Sequence, residues 1–233
     1  MITFPNNWTE LGLEPTKEIV DELFTSILYK LGCKNLSLSG GIDSSLMLWY
    51  MAQCFEADSI KCFNVALSNK HPDYIYSEMV SHLLGVKCFH FIPYNVKLDS
   101  HGNEIVKIFY RDLFLSYQVS EIIACDGIDE LLGGYYAHAE NPCDAVFFDF
   151  LSRLQKEQLE PLNKNSGNVS VLLPYLDIRF IALVSFIPTW NKYGLGYRKK
   201  FLYSLAKGRI PTEIIERRKY GFCDAMRIKG DIK

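Results

Sequence analysis

The run Ser39-Gly40-Gly41-Ile42-Asp43-Ser44-Ser45 concentrates residues able to hold an anion. It follows a β-type run, Asn35-Leu36-Ser37-Leu38, and precedes an apolar run, Leu46-Met47-Leu48-Trp49-Tyr50-Met51-Ala52. Strand, Gly-Gly turn and helix start together make a phosphate site. Glycine lets the backbone approach a ligand closely, and the free N–H groups and dipole at a helix N-terminus attract anions. Ser39, Ser44 and Ser45 add hydroxyl donors. Asp43 would repel a phosphate directly, but fits if Mg²⁺ stands between them. The pattern implies a nucleotide-using protein, yet neither Gly-Lys-Ser/Thr nor Gly-x-Gly-x-x-Gly occurs. The bland alternative is a turn that merely starts a helix, and the Asp inside the turn argues against it.

A second cluster, Asp126-Gly127-Ile128-Asp129-Glu130-Leu131-Leu132-Gly133-Gly134-Tyr135, follows the apolar run Glu121-Ile122-Ile123-Ala124-Cys125. It offers three carboxylates within five residues, and Asp129 is placed to share a metal with Asp43. The competing reading is a solvated acidic turn that caps a helix, which suits Glu130.

These loops need a frame. Residues 17–31 carry helical periodicity and stop at Gly32. Strands are expected at about 34–39, 60–67, 86–92 and 121–125, with helices to about 56, from His71-Pro72-Asp73 to Leu84, and over 103–118. Alternation of this kind implies an α/β fold, a parallel sheet with helices on both faces. Ligands of such sheets sit at the strands' carboxyl ends, where both clusters lie. Beyond about 140 the chain reads as mostly helical, with Pro161 to Asn168 the clearest loop.

Composition narrows the class. The chain has 233 residues, 48% hydrophobic, and no apolar run approaching the ~20 residues of a membrane span. Met1-Ile2-Thr3-Phe4-Pro5 lacks a signal-peptide pattern. Seven cysteines without Cys-x-x-Cys read as free thiols of a cytoplasmic protein, not a zinc ribbon. The five histidines show no ligand spacing. Net charge is −2, but from residue 192 onward 12 Lys/Arg face 4 Asp/Glu, a basic end suited to an anionic substrate.

The first run resembles the pyrophosphate-binding loop (PP-loop) of the ATP pyrophosphatases, which split ATP into AMP and pyrophosphate. The second resembles the Gly-Ala-Asp-Glu-Leu-Phe-Gly-Gly-Tyr run of the asparagine synthetase family. Leu173-Pro174-Tyr175-Leu176-Asp177 is similar to that family's Pro-Phe-Leu-Asp segment. Residues from Lys200 through Ala206, Ile210-Pro211-Thr212-Glu213-Ile214-Ile215-Glu216-Arg217-Arg218-Lys219 and Tyr220-Gly221-Phe222 resemble its ending. Four ordered matches span residues 33–222.

The resemblance implies an adenine nucleotide alpha hydrolase-like fold in one domain over 1–233, with a nucleotide-binding core over about 33–138 and a helical, basic part over about 139–233. It implies an ATP-dependent carbon–nitrogen ligase: a carboxylate attacks the α-phosphate, pyrophosphate leaves, and ammonia or an amine attacks the acyl-adenylate. Ser39, Gly40, Gly41, Asp43, Ser44 and Ser45 would bind pyrophosphate, Leu38 would offer backbone groups to the nucleotide, and Asp43 and Asp129 would hold Mg²⁺. Asp126 would orient or deprotonate the amine, Lys219 would stabilise developing negative charge, and Lys200 would contact pyrophosphate. Asp177 reads as structural.

Departures from the family pattern shape further expectations. Ile2 stands where relatives with a glutaminase half carry cysteine, so nitrogen is expected as ammonia, as a substrate amine or from a separate glutaminase subunit. Ser170 and Leu172 stand where relatives carry Glu and Arg, which leaves aspartate unassigned as substrate. An exposed strand edge would admit a homo-oligomer. Two rivals remain at this stage: a sulfur transferase acting on RNA through Cys125, and a non-catalytic nucleotide-binding subunit.

Overall fold

A computed structural model describes residues 15–66, 68–92 and 103–219. Met1–Pro5, Leu67, His101 and Tyr220-Gly221-Phe222 lie outside the described residues. The strands are β1 (Asn35–Ser37), β2 (Lys61–Val65), β3 (Lys87–Phe91), β4 (Glu121–Ile123) and β5 (Ser170–Leu172). The α-helices are α1 (Lys17–Leu31), α2 (Ile42–Cys54), α3 (Pro72–Leu83), α4 (Asn103–Tyr117), α5 (Ile128–Leu132) and α6 (Tyr136–Glu140), then α7 (Asp144–Leu154), α8 (Glu160–Asn165), α9 (Ile178–Ser185), α10 (Thr189–Lys192), α11 (Lys200–Ala206) and α12 (Thr212–Glu216).

All strand pairs are parallel, in the order β3-β2-β1-β4-β5. The chain lays down β1, steps outward to β2 and β3, then returns to place β4 on the other side of β1. Leu36 pairs with Ile123 at that reversal, so the loops after β1 and β4 leave the sheet side by side. A reversal of strand order opens a crevice at the carboxyl edge.

Alternation along the strands sends neighbours to opposite faces, and each face has its own core. Cys62 and Ile123 join the larger cluster beneath α1, α2, α9 and α11, while Phe63 and Ile122 join a smaller one with Phe109, Tyr110 and Leu113 of α4. Helices thus cover both faces, as expected. Helix α1 shows why the periodicity was legible. Thr16 caps its start through Oγ1, Gly32 ends it at φ 64°, and Val20, Phe24, Ile27 and Leu28 form its buried stripe.

One expectation needs correction. Pro161 to Asn168 is not mainly a loop, because α8 runs to Asn165. The chain runs from α7 through a π-helical turn, Gln155–Leu159, straight into α8, whose first turn holds Pro161. The chain beyond 139 also supplies a strand: β5 pairs with β4 through Glu121–Ser170, Ile122–Val171 and Ile123–Leu172. Ser170 and Leu172 therefore belong to the sheet itself.

Candidate active site

The loop between β1 and α2 is bedded against α3. Gly40 has φ 67°, and a Cβ there would overlap the backbone of Tyr76 and Ser77, so a side chain is excluded twice over. Ser44 Oγ lies 3.1 Å from Ser39 Oγ and accepts from the Ser39 N–H at 3.2 Å. The Gly41 N–H donates to Ser39 Oγ at 3.3 Å. The loop closes on its own hydroxyls. Tyr175, packed edge-on to Phe24 at 5.3 Å, donates to the Asp43 carbonyl at 3.0 Å and steadies the start of α2.

Two predicted residues are placed differently from the others in the loop. Ser45 is fully buried and does not line the cleft. Leu38 has both backbone groups engaged: its N–H donates to Phe63 O at 2.8 Å, and its carbonyl accepts from Asn64 Nδ2 at 2.8 Å. Asn64 also donates to the Asp73 carbonyl at 3.2 Å. It ties the end of β1 to the first turn of α3, a role that its polarity within a buried strand could have flagged. Asn64→Leu leaves two buried carbonyls without this donor and is expected to cost about 1–3 kcal/mol. An unchanged midpoint in urea unfolding would refute that role.

Asp43 and Asp129 converge on one cation. The ammonium of Lys199, only 2% exposed, lies 2.6 Å from Asp43 Oδ1 and 2.6 Å from Asp129 Oδ1. Lys219 Nζ also contacts Asp129 Oδ1. Gly134 makes the cluster possible, because a Cβ there would overlap Asp129 Oδ1 and Lys199 Cε. Burial works against the charge on Lys199, yet the carboxylates of Asp129 and Asp43 hold it above its ordinary pKa. Burial likewise opposes ionisation of Asp129, and Lys199 and Lys219 override it to hold the carboxyl below the usual range. Lys219 is pulled down by burial, with Lys199's charge adding to the effect against Asp129.

Lys200 does not join them. It is exposed, with its ammonium 5.8 Å from the Tyr197 ring centroid. The lysine that reaches the loop is its neighbour Lys199, whose φ of 47° precedes α11. Sequence reasoning named Lys200 of this Lys-Lys pair, and nothing in the sequence announces the left-handed residue beside it.

Asp126 is partly buried just past β4. Burial, with a further push from Asp129, raises its carboxyl to about 6. Cys125 beside it is a poor nucleophile: burial, then the charges of Asp43 and Asp126, push its thiol well above the ordinary value. Glu130 is buried and accepts from Tyr135 Oη at 2.6 Å, so it is not a solvated cap. His138 is buried, accepts the Tyr135 N–H through Nδ1 at 3.1 Å, and is lowered to about 4 by burial. Asp177 caps α9 by accepting the Arg179 N–H at 3.0 Å.

Beside the loop lies a cleft of about 490 Å³, lined by Ser39, Gly41, Asp43, Lys199, Arg217 and Lys219 among others. Residues from the first, second and last motifs thus meet at one place. The chain is similar to several known proteins. A probable glutamine-hydrolysing asparagine synthetase of Acanthamoeba polyphaga mimivirus is 27% identical over 218 residues, covering 82% of this chain and 40% of the relative. The chain therefore spans less than half the length of that relative. An NH3-dependent NAD synthetase from Campylobacter jejuni, solved with a nitrate ion, aligns over 72% of this chain and 90% of its own, at 19% identity and a TM-score of 0.37. Residues 35–171 and 166–232 match the family described as Asparagine synthase, and a match of that extent means that the chain belongs to the asparagine synthase family.

Proposed function

We propose that this chain is an ATP-dependent, AMP-forming ligase that activates a carboxylate for attack by ammonia or an amine. The observation that carries the reading is the convergence of Asp43 and Asp129, from the first turns of the helices that follow two adjacent strands, on one cation beside a glycine–hydroxyl loop. Carboxylate oxygens are the donors Mg²⁺ takes. Among the described residues no group of three or more His, Cys, Asp or Glu could hold a metal, so phosphate oxygens and water would complete the shell. When bound, Mg²⁺ would neutralise phosphate charge.

The chain's own residues supply the rest. Backbone N–H groups and hydroxyls of Ser39, Gly41 and Ser44 hold the departing pyrophosphate. The ammonium groups of Lys199 and Lys219 are positioned to answer charge that develops on the phosphates. Asp126, raised to about 6, is ionised at neutral pH yet basic enough to take a proton from the incoming amine. No observation favours sulfur transfer through Cys125, whose thiol stays protonated. No helix among the described residues is long and apolar enough to cross a membrane.

Product analysis tests the reading. The chain is incubated with ATP, Mg²⁺, ammonium and a panel of carboxylic acids, aspartate included. Acid-dependent AMP and pyrophosphate are expected, reduced at least ~10²-fold in Asp43→Ala. ADP and phosphate would overturn the adenylation chemistry.

A further inference from the structure

Arg217 is a charged group of the cleft that the reading above leaves without a task. Its Nη2 donates to Asp73 Oδ1 at 2.6 Å, and the two side chains are 6% and 8% exposed. The guanidinium lies over Tyr76, 5.1 Å from the ring centroid. Nη2 is 3.8 Å from where a Cβ on Gly41 would stand. The other terminal nitrogen, Nη1, is buried and has no hydrogen-bond partner, although Arg217 lines the cleft with Ser39 and Gly41.

Stability alone is a weak reason for this arrangement. A buried ion pair seldom repays the removal of both charges from water. Burial raises the Asp73 carboxyl even though Arg217 sits against it. A guanidinium with one nitrogen on a carboxylate and another buried without a partner is half satisfied. What completes it is an acceptor, and its planar fork matches phosphate oxygens.

The position points the same way. Tyr76 and Ser77 press against Gly40 from behind, and the helix that supports the loop, α3, also carries Asp73. Arg217 thus joins the loop's support to the segment that delivers Lys219 to Asp129. A ligand touching Arg217 is sensed by all three.

Building on the proposed ATP chemistry, we propose that Arg217 is a direct ligand of the pyrophosphate part of the nucleotide, with the unpartnered Nη1 supplying the contact and Asp73 acting as the positioning residue that holds the guanidinium beside Gly41 through Nη2. The class of ligand is a di- or triphosphate, not the acyl group, because the guanidinium stands on the loop side of the cleft.

The test uses inorganic pyrophosphate with Mg²⁺ as probe, titrated calorimetrically into the full chain. Arg217→Met is expected to weaken binding about 10- to 30-fold. Arg217→Lys, which keeps the charge but loses the fork, should weaken it about 3- to 10-fold. Asp73→Asn should give a smaller loss than Arg217→Met, since the guanidinium remains but is less well aimed. Added guanidinium at low millimolar concentration should restore part of the Arg217→Met loss, which a purely structural role would not allow. Unchanged affinity in Arg217→Met overturns the inference. If that variant fails to fold, unchanged affinity in Arg217→Lys overturns it instead. Failure of the wild-type chain to bind pyrophosphate overturns the nucleotide reading, and this inference with it.

Discussion

Lys199→Met is expected to destabilise the chain by roughly 3–5 kcal/mol, because removing one partner from a buried ion cluster strands the others. Asp43 and Asp129 each have an oxygen 2.6 Å from the same ammonium. Without it, two carboxylates face each other with only Lys219 against Asp129. Methionine fills most of the volume, so the loss reads charge and not a cavity. The variant should regain part of its stability on addition of millimolar Mg²⁺, since a divalent ion can take the vacated place between the same oxygens. The wild-type chain should gain less, because Mg²⁺ must first displace Lys199. AMP formation should fall about 10³-fold. The acid limb should change as well. Asp129, held below the usual carboxylate range, contributes stability that is present above its unfolded pKa of ~3.9 and lost as pH falls below it. Loss of Lys199 should shrink that contribution. Urea unfolding with and without Mg²⁺ measures all of this except turnover, and equal midpoints for variant and wild type would remove Lys199 from the centre of the site.

The same lysine marks where sequence reading stopped. Helix α1 was legible because a buried stripe at Val20, Phe24, Ile27 and Leu28 repeats at helical spacing between a threonine cap and a stop glycine. Strands β1 to β4 were legible as apolar runs between breakers, and their alternation with helices implied the parallel sheet. Strand β5 was not, because three residues, Ser170–Leu172, show no periodicity and are strand only because β4 offers an edge to pair with. Asp43 and Asp129 were singled out because each sits in a compact motif. Partners in pairs such as Arg217–Asp73 and Arg209–Asp21 sit 144 to 188 residues apart, and no local pattern links such positions. Arg198-Lys199-Lys200 offered three cations in a row. The left-handed backbone at Lys199 sends its side chain inward and leaves Lys200, the first residue of α11, in solvent. That backbone angle belongs to the folded chain.

Asp126→Asn is expected to make the protein more stable and less active. Burial raises the Asp126 carboxyl to about 6, against ~3.9 in an unfolded chain. The folded state therefore holds the proton more tightly than the unfolded one. Stability falls as pH rises from about 4 to 6, and the cost is complete above that window. A carboxyl raised that far costs the folded state roughly 3 kcal/mol when fully ionised, reduced to about 1–3 kcal/mol because the group is only partly buried. Asparagine keeps the shape without the charge, so the variant should be more stable by that amount at pH 8 and indistinguishable below pH 4. A structural carboxylate held by partners would behave in the opposite way, as Asp129 should. A carboxylate so costly, just past β4, would be kept for something that asparagine cannot do. A proton acceptor with a pKa near 6 suits an amine attacking at neutral pH. Amide formation should accordingly drop about 10²- to 10⁴-fold, and the acid limb of the pH–rate profile near 6 should vanish with the carboxyl. In a single turnover, acid-dependent pyrophosphate release should fall less steeply, because pyrophosphate leaves in the adenylation that precedes the step needing the base. Urea midpoints at pH 4 and pH 8, with pyrophosphate and amide measured separately, decide the matter. A variant destabilised at pH 8, or one that forms amide at the wild-type rate, would place Asp126 outside the chemistry.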